Sequence, residues 1–416
     1  MRIVLINTYH YNRGGDCTYM FSLADLLRSR GHDVFFFGMK HPLNFPCEQE
    51  KYFVDYVDFR ELNSKKNLVN NVRVLSRSIY SVQARSNIAR LISDLKPDIS
   101  HIQNIHAHIT PSIVFELQKQ RVPIIWTLHD YKLVCPNTHF LSHGQICEKC
   151  KGGKFYHCTL KKCKKDSYAA SLVATAEAYV HSLAKVTNKV DAFISPSAFL
   201  RQKFLENGYD SKKFFHVPNF LHDDLPENVK SIDGGYALYL GQLEPWKGIR
   251  TLVRAWSDLK GITLKIAGDG SLKTELEKEI AESRTQNILF LGHLGRKSVW
   301  EVLSKSSFVV TPSEWYENYP YSVMETMMCG KPIVASNIGG LPEMIRDGET
   351  GLLFESGNIG ALKGKLEILL KNVQLRKEMG EKGREMAVRE FSPEIHYAKL
   401  MKIYEDAVST KFRRGR

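Results

Sequence analysis

Short apolar runs alternate with longer mixed stretches along the whole chain. Ile3 to Ile6, Val34 to Phe37, Pro97 to Ile102, Ile124 to Leu128, Ala192 to Ile194 and Phe214 to Val217 read as buried strands. Helical stretches separate them, at about Thr18 to Arg30, Leu68 to Leu91, Ser167 to Thr187 and Ser197 to Asn207. The pattern pauses over the polar, acidic stretch His222 to Gly235, which reads as a linker, and then restarts. The second series has strands at Ala237 to Leu240, Leu264 to Ala267, Ile288 to Leu291, Phe308 to Val310, Ile333 to Ala335 and Leu352 to Phe354. Helices are predicted at Ile249 to Asp258, from Leu272, up to Ser304, from Pro320 to Gly330, over 359–390 and over Pro393 to Val408. Two such series predict an α/β chain of two Rossmann-like domains facing across a cleft. The expected domains are 1–218, on the acceptor side, and 219–392, on the nucleotide side. A closing helix and basic tail, 393–416, is expected to cross back to the first domain.

The most informative unit runs from Phe308 to Ser336: a strand, a polar aromatic loop, a helix and a second strand. Pro320 suits the first helical position and Gly330 the stop. Ligands of open parallel sheets sit beyond the carboxyl ends of the strands, where this loop and helix start lie. The backbone N–H groups of Tyr321, Ser322 and Val323 are the helix's orphan donors, and with its dipole they make an anion site. Glu317 lies in the loop and Glu325 about one turn into the helix. Carboxylates beside a phosphate site suit the hydroxyls of a sugar nucleotide. Otherwise both are solvated surface charges.

Loops after other strands carry further candidates. Gly14-Gly15 follows the first strand and lets backbone approach a phosphate or sugar, or simply makes a tight turn. There is no G-x-G-x-x-G fingerprint. Gly241-Gln-Leu-Glu-Pro-Trp-Lys-Gly248 places Lys247 just before a helix, where it can neutralise phosphate or face solvent. His129 ends a central strand, as a cleft group or a hydrogen-bonded core histidine. His101, His106 and His108 span a strand and a loop and read as loop-lining polar groups rather than metal ligands.

Charge adds an asymmetry. The net charge of +13 divides into 30 Lys+Arg against 18 Asp+Glu in residues 1–218 and 28 against 27 in residues 219–416. A basic first half implies an acidic partner, such as an anionic membrane surface. No apolar run approaches a membrane span, and Met1 to Ile6 is too short for a signal peptide. The expected location is cytoplasmic, peripheral at the inner membrane face. Five of the eight cysteines fall in the lysine-rich insert 135–165. Cys147-x2-Cys150 and Cys163, completed by Cys135 or Cys158, have spacing suited to structural zinc. The alternative is a loop of unpaired thiols.

The ordered motifs resemble the retaining glycosyltransferases of family 4, with the two-domain GT-B architecture, over nearly the whole chain. Glu317-x7-Glu325 resembles that family's E-x7-E, and Gly241-Gln-Leu with Lys247-Gly248 its G-R-L…K-G. Gly268-Asp-Gly270, Gly339-Gly-Leu-Pro-Glu343, Asp347-Gly-x-x-Gly351 and, earlier, Arg30-Gly-His-Asp-Val34 and Thr127-Leu-His-Asp130 follow in order. The resemblance implies that Glu325 binds the donor ribose and Glu317 faces the transferred sugar. It implies that Lys247, the helix amides and Gly15 hold the diphosphate, and that His129 sits at the reaction centre. Gln242 stands where the family often has Arg, so leaving-group charge falls to Lys247 and the helix N-terminus. No metal is then required for catalysis. The implied partners are a UDP-, GDP- or ADP-sugar and a lipid-linked or other glycan acceptor, with either Glu317 or His129 stabilising the oxocarbenium. Competing readings are an epimerase-like enzyme of the same architecture and a basic nucleic-acid-binding protein with a zinc-like cysteine module. The lysines lack interleaved aromatics, which argues against a nucleic-acid partner.

Overall fold

The computed structural model describes residues 1–57, 77, 79–106, 108–221, 231–282 and 287–413. Two six-stranded parallel sheets dominate it. The first contains β1 (Arg2–Ile6), β2 (Asp33–Phe37), β3 (Ile99–Ile102), β4 (Ile124–Thr127), β7 (Ala192–Ser195) and β8 (Phe214–His216). Its spatial order is β2-β1-β3-β4-β7-β8. The second contains β9 (Tyr236–Leu240), β10 (Thr263–Ala267), β11 (Ile288–Gly292), β12 (Phe308–Thr311), β13 (Ile333–Ser336) and β14 (Gly351–Phe354), in the order β11-β10-β9-β12-β13-β14. That is the doubly wound arrangement in which strand order reverses between the first and fourth strands. β12 pairs with β9 through Phe308↔Ala237 and Val309↔Leu238, so their carboxyl-end loops flank the switch point.

The central strands read as continuous apolar runs because helices cover both faces. Val4, Ile6, Ile102, Ile124 and Trp126 face one packed layer, and Ile3, Leu5, Ile99, Ile125 and Ile194 the other. The last helix, Pro393–Arg413, adds Leu400, Ile403 and Tyr404 to that second layer. Burying each such side chain stabilises by about 1.5–3 kcal/mol. Polar contacts align it: His101 bonds Tyr404 Oη at 2.6 Å and Thr127 Oγ1 at 2.7 Å. Lys411 Nζ reaches Val122 O at 2.7 Å and Asp191 at 3.1 Å. His101 is therefore a fully buried core group, not a loop-lining one. Lys411 belongs to a helix five residues longer than expected, not to a free tail.

Other departures are local. The cysteine segment, expected to be irregular, contains a two-stranded hairpin of β5 (Leu141–Ser142) and β6 (Gln145–Ile146) and a short helix, Tyr156–Leu160. The following helix spans Tyr168–Leu183, shorter than expected, and ends before a left-handed residue at Lys185. Of the expected Leu68–Leu91 helical stretch, residues 68–76 and 78 lie outside the described residues, and a helix runs over Val82–Leu95. Residues 222–230 of the expected linker also lie outside them.

Candidate active site

Each candidate side chain is set by a loop at the carboxyl end of a strand. After β9 the chain makes a 3₁₀ turn, Pro245–Lys247, and Gly248 takes a left-handed φ of 68°. A Cβ at Gly248 would run into the Pro312 carbonyl, so only glycine lets the two switch-point loops close together. That closure brings Lys247 to Glu317: Nζ donates to Oε1 at 2.7 Å. Ser313 Oγ donates to the same oxygen at 2.6 Å, and Lys247 lies 4.8 Å from the centre of the Trp315 ring. The Glu317 side chain is 6% exposed and that of Lys247 20%. Burial pushes the Glu317 carboxyl up, but the Lys247 charge and the bonds from Lys247 and Ser313 outweigh it and hold it below the ordinary carboxylate range. Gly340 allows a second close approach, since a Cβ there would meet the Asn318 carbonyl. Its N–H donates to Glu317 O at 2.7 Å.

The helix that follows runs over Tyr321–Met328. Pro320 has extended backbone and is the N-cap, not the first helical residue. Val323 N–H donates to Pro320 O at 3.2 Å, so it is not an orphan donor; the ring-constrained turn consumes it. The anion site therefore narrows to the amides of Tyr321 and Ser322. The Tyr321 hydroxyl is buried with no partner among the described residues. Gly15 opens the Gly15–Ser29 helix of the first domain and faces the Tyr321 ring, its Cβ position 3.6 Å from that ring. Glu325 is 8% exposed, one turn into the helix, with Arg296 Nη1 at 3.5 Å from Oε1. Burial pushes its carboxyl up to about 7, against the pull of Arg296. Gln242 is exposed in the loop after β9, where its carbonyl accepts from Tyr239 Oη at 2.7 Å.

His129 follows β4. Its Nε2 lies 2.8 Å from Gln103 Oε1, and its ring meets Tyr19 edge to face at 5.3 Å. Burial lowers the imidazole below the ordinary histidine range despite Asp16 and Asp130, so the ring is neutral near pH 7. The residues flanking His129 and Glu317 join directly: Asn318 Nδ2 donates to Leu128 O at 3.1 Å. Glu343 closes the domains further by accepting from Ala198 N at 2.7 Å and from Phe199 N. It caps the first-domain helix Ala198–Glu206 rather than facing the cleft. Gln103, Tyr19 and Arg296 join the site from outside the motifs. Gln103 and Arg296 each had a signal, since Gln103 directly follows β3 and Arg296 opens the helix after the Gly292–Gly295 loop.

The cysteine segment packs against the loop that carries Glu317: Tyr316 Oη donates to Glu148 Oε1 at 2.7 Å, and the His139 ring lies 5.2 Å from that of Trp315. Cys150 and Cys158 are buried around Phe155, with Cys163 packed against them. A hydrogen bond from Cys158 lowers the Cys163 thiol to about 6. All eight cysteines are free thiols. Among the described residues no three His, Cys, Asp or Glu side chains converge as a metal-ligand set, and the choice between Cys135 and Cys158 beside Cys147 has no geometric answer.

Two doubly wound sheets that meet over a lysine–carboxylate pair and a helix N-terminus make the GT-B arrangement. The chain belongs to glycosyltransferase family 4: the description Glycosyltransferase Family 4 matches residues 13–225, and Glycosyl transferases group 1 matches residues 223–386. It is a transferase enzyme. An uncharacterized glycosyltransferase of Methanocaldococcus jannaschii is 32% identical over 47% of this chain and 60% of its own length. The capsular polysaccharide biosynthesis glycosyltransferase CapM of Staphylococcus aureus is 22% identical over 83% of this chain and 91% of its own. In fold, the chain matches Anabaena HepE, solved in complex with UDP, with a TM-score of 0.69 and 15% identity over 98% of this chain and all of that one.

Proposed function

We propose that the enzyme moves a sugar, with retention, from a nucleoside-diphosphate donor to a lipid-linked or other glycan acceptor in surface polysaccharide assembly. The observation that carries this is the Lys247–Glu317 pair, buried at the β9/β12 switch point beside the Tyr321 helix start. The bond between the sugar's anomeric carbon and the diphosphate oxygen breaks, and its electron pair leaves with the diphosphate. The acceptor hydroxyl attacks that carbon from the same face and gives its proton to the departing oxygen. Positive charge grows on the sugar and negative charge on the diphosphate. Glu317 suits the first, and Lys247 with the Tyr321 and Ser322 amides suits the second. Glu325 takes the ribose hydroxyls. Neutral His129, oriented by Gln103, hydrogen-bonds the sugar. CapM's role in capsule synthesis and HepE's complex with UDP fit this class of acceptor and donor.

The excess of basic residues in 1–218 supports a further part of this reading, that the first domain faces the cytoplasmic side of a membrane. Among the described residues no helix is long and apolar enough to cross a membrane. A screen of UDP-, GDP- and ADP-sugars, read by nucleoside diphosphate release, tests the reading. Acceptor-dependent release from one nucleotide class is expected; no release from any, with acceptor glycans present, contradicts it.

The cysteine segment has its own proposal: Cys147, Cys150 and Cys163, with Cys135 or Cys158, draw together on a structural zinc when it binds, and the metal supplies folding free energy that so small a cluster lacks. Native mass spectrometry should then show one zinc per chain, lost in Cys147→Ser/Cys150→Ser. Fully active, metal-free protein contradicts it.

A further inference from the structure

The helix Tyr168–Leu183 is turned inside out. Its inward face carries polar groups beside the small Ala174 and Ala178. Ser171 Oγ accepts from Lys164 N at 2.9 Å, Thr175 Oγ1 bonds Thr159 at 2.8 Å, and Glu177 pairs with Lys132 at 2.7 Å. Its outward face is apolar at helical spacing: Tyr168 is 59% exposed, Leu172 58%, Val180 43% and Leu183 81%. The neighbouring helix Tyr156–Leu160 also exposes Tyr156 and Leu160, 46% and 66%. A monomeric surface seldom presents so many large apolar side chains side by side. Lysines frame the stripe at both ends, with one exposed acid, Asp166, between Lys165 and the helix start. Lys162 lies 4.4 Å from the centre of the Tyr168 ring, Lys165 is exposed just before the helix and Lys185 just after it. The helix's one acid, Glu177, is buried in its ion pair.

We propose that this face docks on an anionic lipid bilayer, with the helix lying in the interface plane, its leucines among the acyl chains and the lysines at the headgroups. The inference rests on the membrane part of the function proposed above and identifies the surface that makes the contact. A second copy of the chain fits less well, because two such faces would bring like-charged lysine clusters together. The helix's inner side also explains why docking here matters. Glu177 and His181 line a cavity of about 660 Å³ that extends to His106. His106 Nε2 is 3.0 Å from Asp130, the neighbour of His129. Docking puts the bilayer one helix away from that cavity, the side from which a lipid-linked acceptor arrives.

Co-sedimentation of the full chain with phosphatidylglycerol/phosphatidylcholine vesicles, against phosphatidylcholine alone, tests this. The wild type should pellet with the anionic vesicles at low salt and be released at high salt. Leu172→Asp/Leu183→Asp, both exposed, should lower the partition coefficient by roughly tenfold or more. Its thermal melt and its turnover on a soluble acceptor should stay unchanged. Equal binding by wild type and variant overturns the assignment to this face but leaves membrane association standing. No binding by the wild type at low salt overturns both, while turnover on the soluble acceptor reads the transferase function separately. A wild-type dimer in solution that the variant breaks, with no lipid binding, assigns the face to a second copy and overturns the proposal.

Discussion

Lys247→Ala should lower kcat by roughly 10²–10³-fold, with a smaller effect on donor affinity. Negative charge on the diphosphate grows only as the glycosidic bond breaks, so a lysine positioned for it acts mainly in the transition state. The same substitution should also destabilise the fold. Glu317 would keep Ser313 as a partner but lose the cation that offsets its burial. Breaking a buried pair from one side costs about 3 kcal/mol or more. These two effects separate in the double variant Lys247→Ala/Glu317→Gln. It should recover most of the melting temperature, because no buried charge is stranded, and none of the turnover. Recovery of turnover along with stability would show that neither charge acts in the chemistry and that the pair is structural only. An unchanged kcat with a raised KM would make it a uniform binding group.

The second large effect belongs to Glu325, where stability and binding should move in opposite directions. Burial raises its folded value from 4.5 to about 7, so the folded state holds a proton that the unfolded state gives up. By linkage, stability falls as pH rises between those values and is flat above them. The gap of about 2.5 units corresponds to about 3 kcal/mol carried as a penalty above pH 7. Glu325→Gln should therefore melt higher than the wild type at pH 8 and at the same temperature at pH 4. It should also bind the donor nucleotide more weakly by about 1.5–3 kcal/mol, through loss of a charged acceptor for ribose hydroxyls. Wild-type donor affinity should itself rise with pH through about 7 as the carboxylate forms. Calorimetry at two pH values measures both; unchanged donor affinity in the variant removes the ribose role.

The parts of this site were legible singly, because each stands in a loop right after an apolar strand run, where open sheets bind ligands. The Lys247–Glu317 bond was not, because it joins residues 70 apart and follows from β9 and β12 being neighbours at the switch point. Glu343 was visible as part of a motif, yet its role as a cap on the Ala198 helix depends on how the domains meet. His101 reads like its neighbours His106 and His108 until Tyr404 arrives from the far end of the chain. The Tyr168–Leu183 helix shows the limit most plainly. Periodicity reveals that a helix has an apolar stripe, but not that Glu177, Thr175 and Ser171 face inward to partners and leave the leucines outside.

The most direct measurement of the central claim is the anomeric configuration of the transferred sugar, read by proton NMR on the product made from an active donor. Transfer at the switch-point site, with diphosphate leaving and acceptor entering on one face, predicts that the product keeps the donor's configuration and that one nucleoside diphosphate is released per bond formed. An inverted product would contradict it.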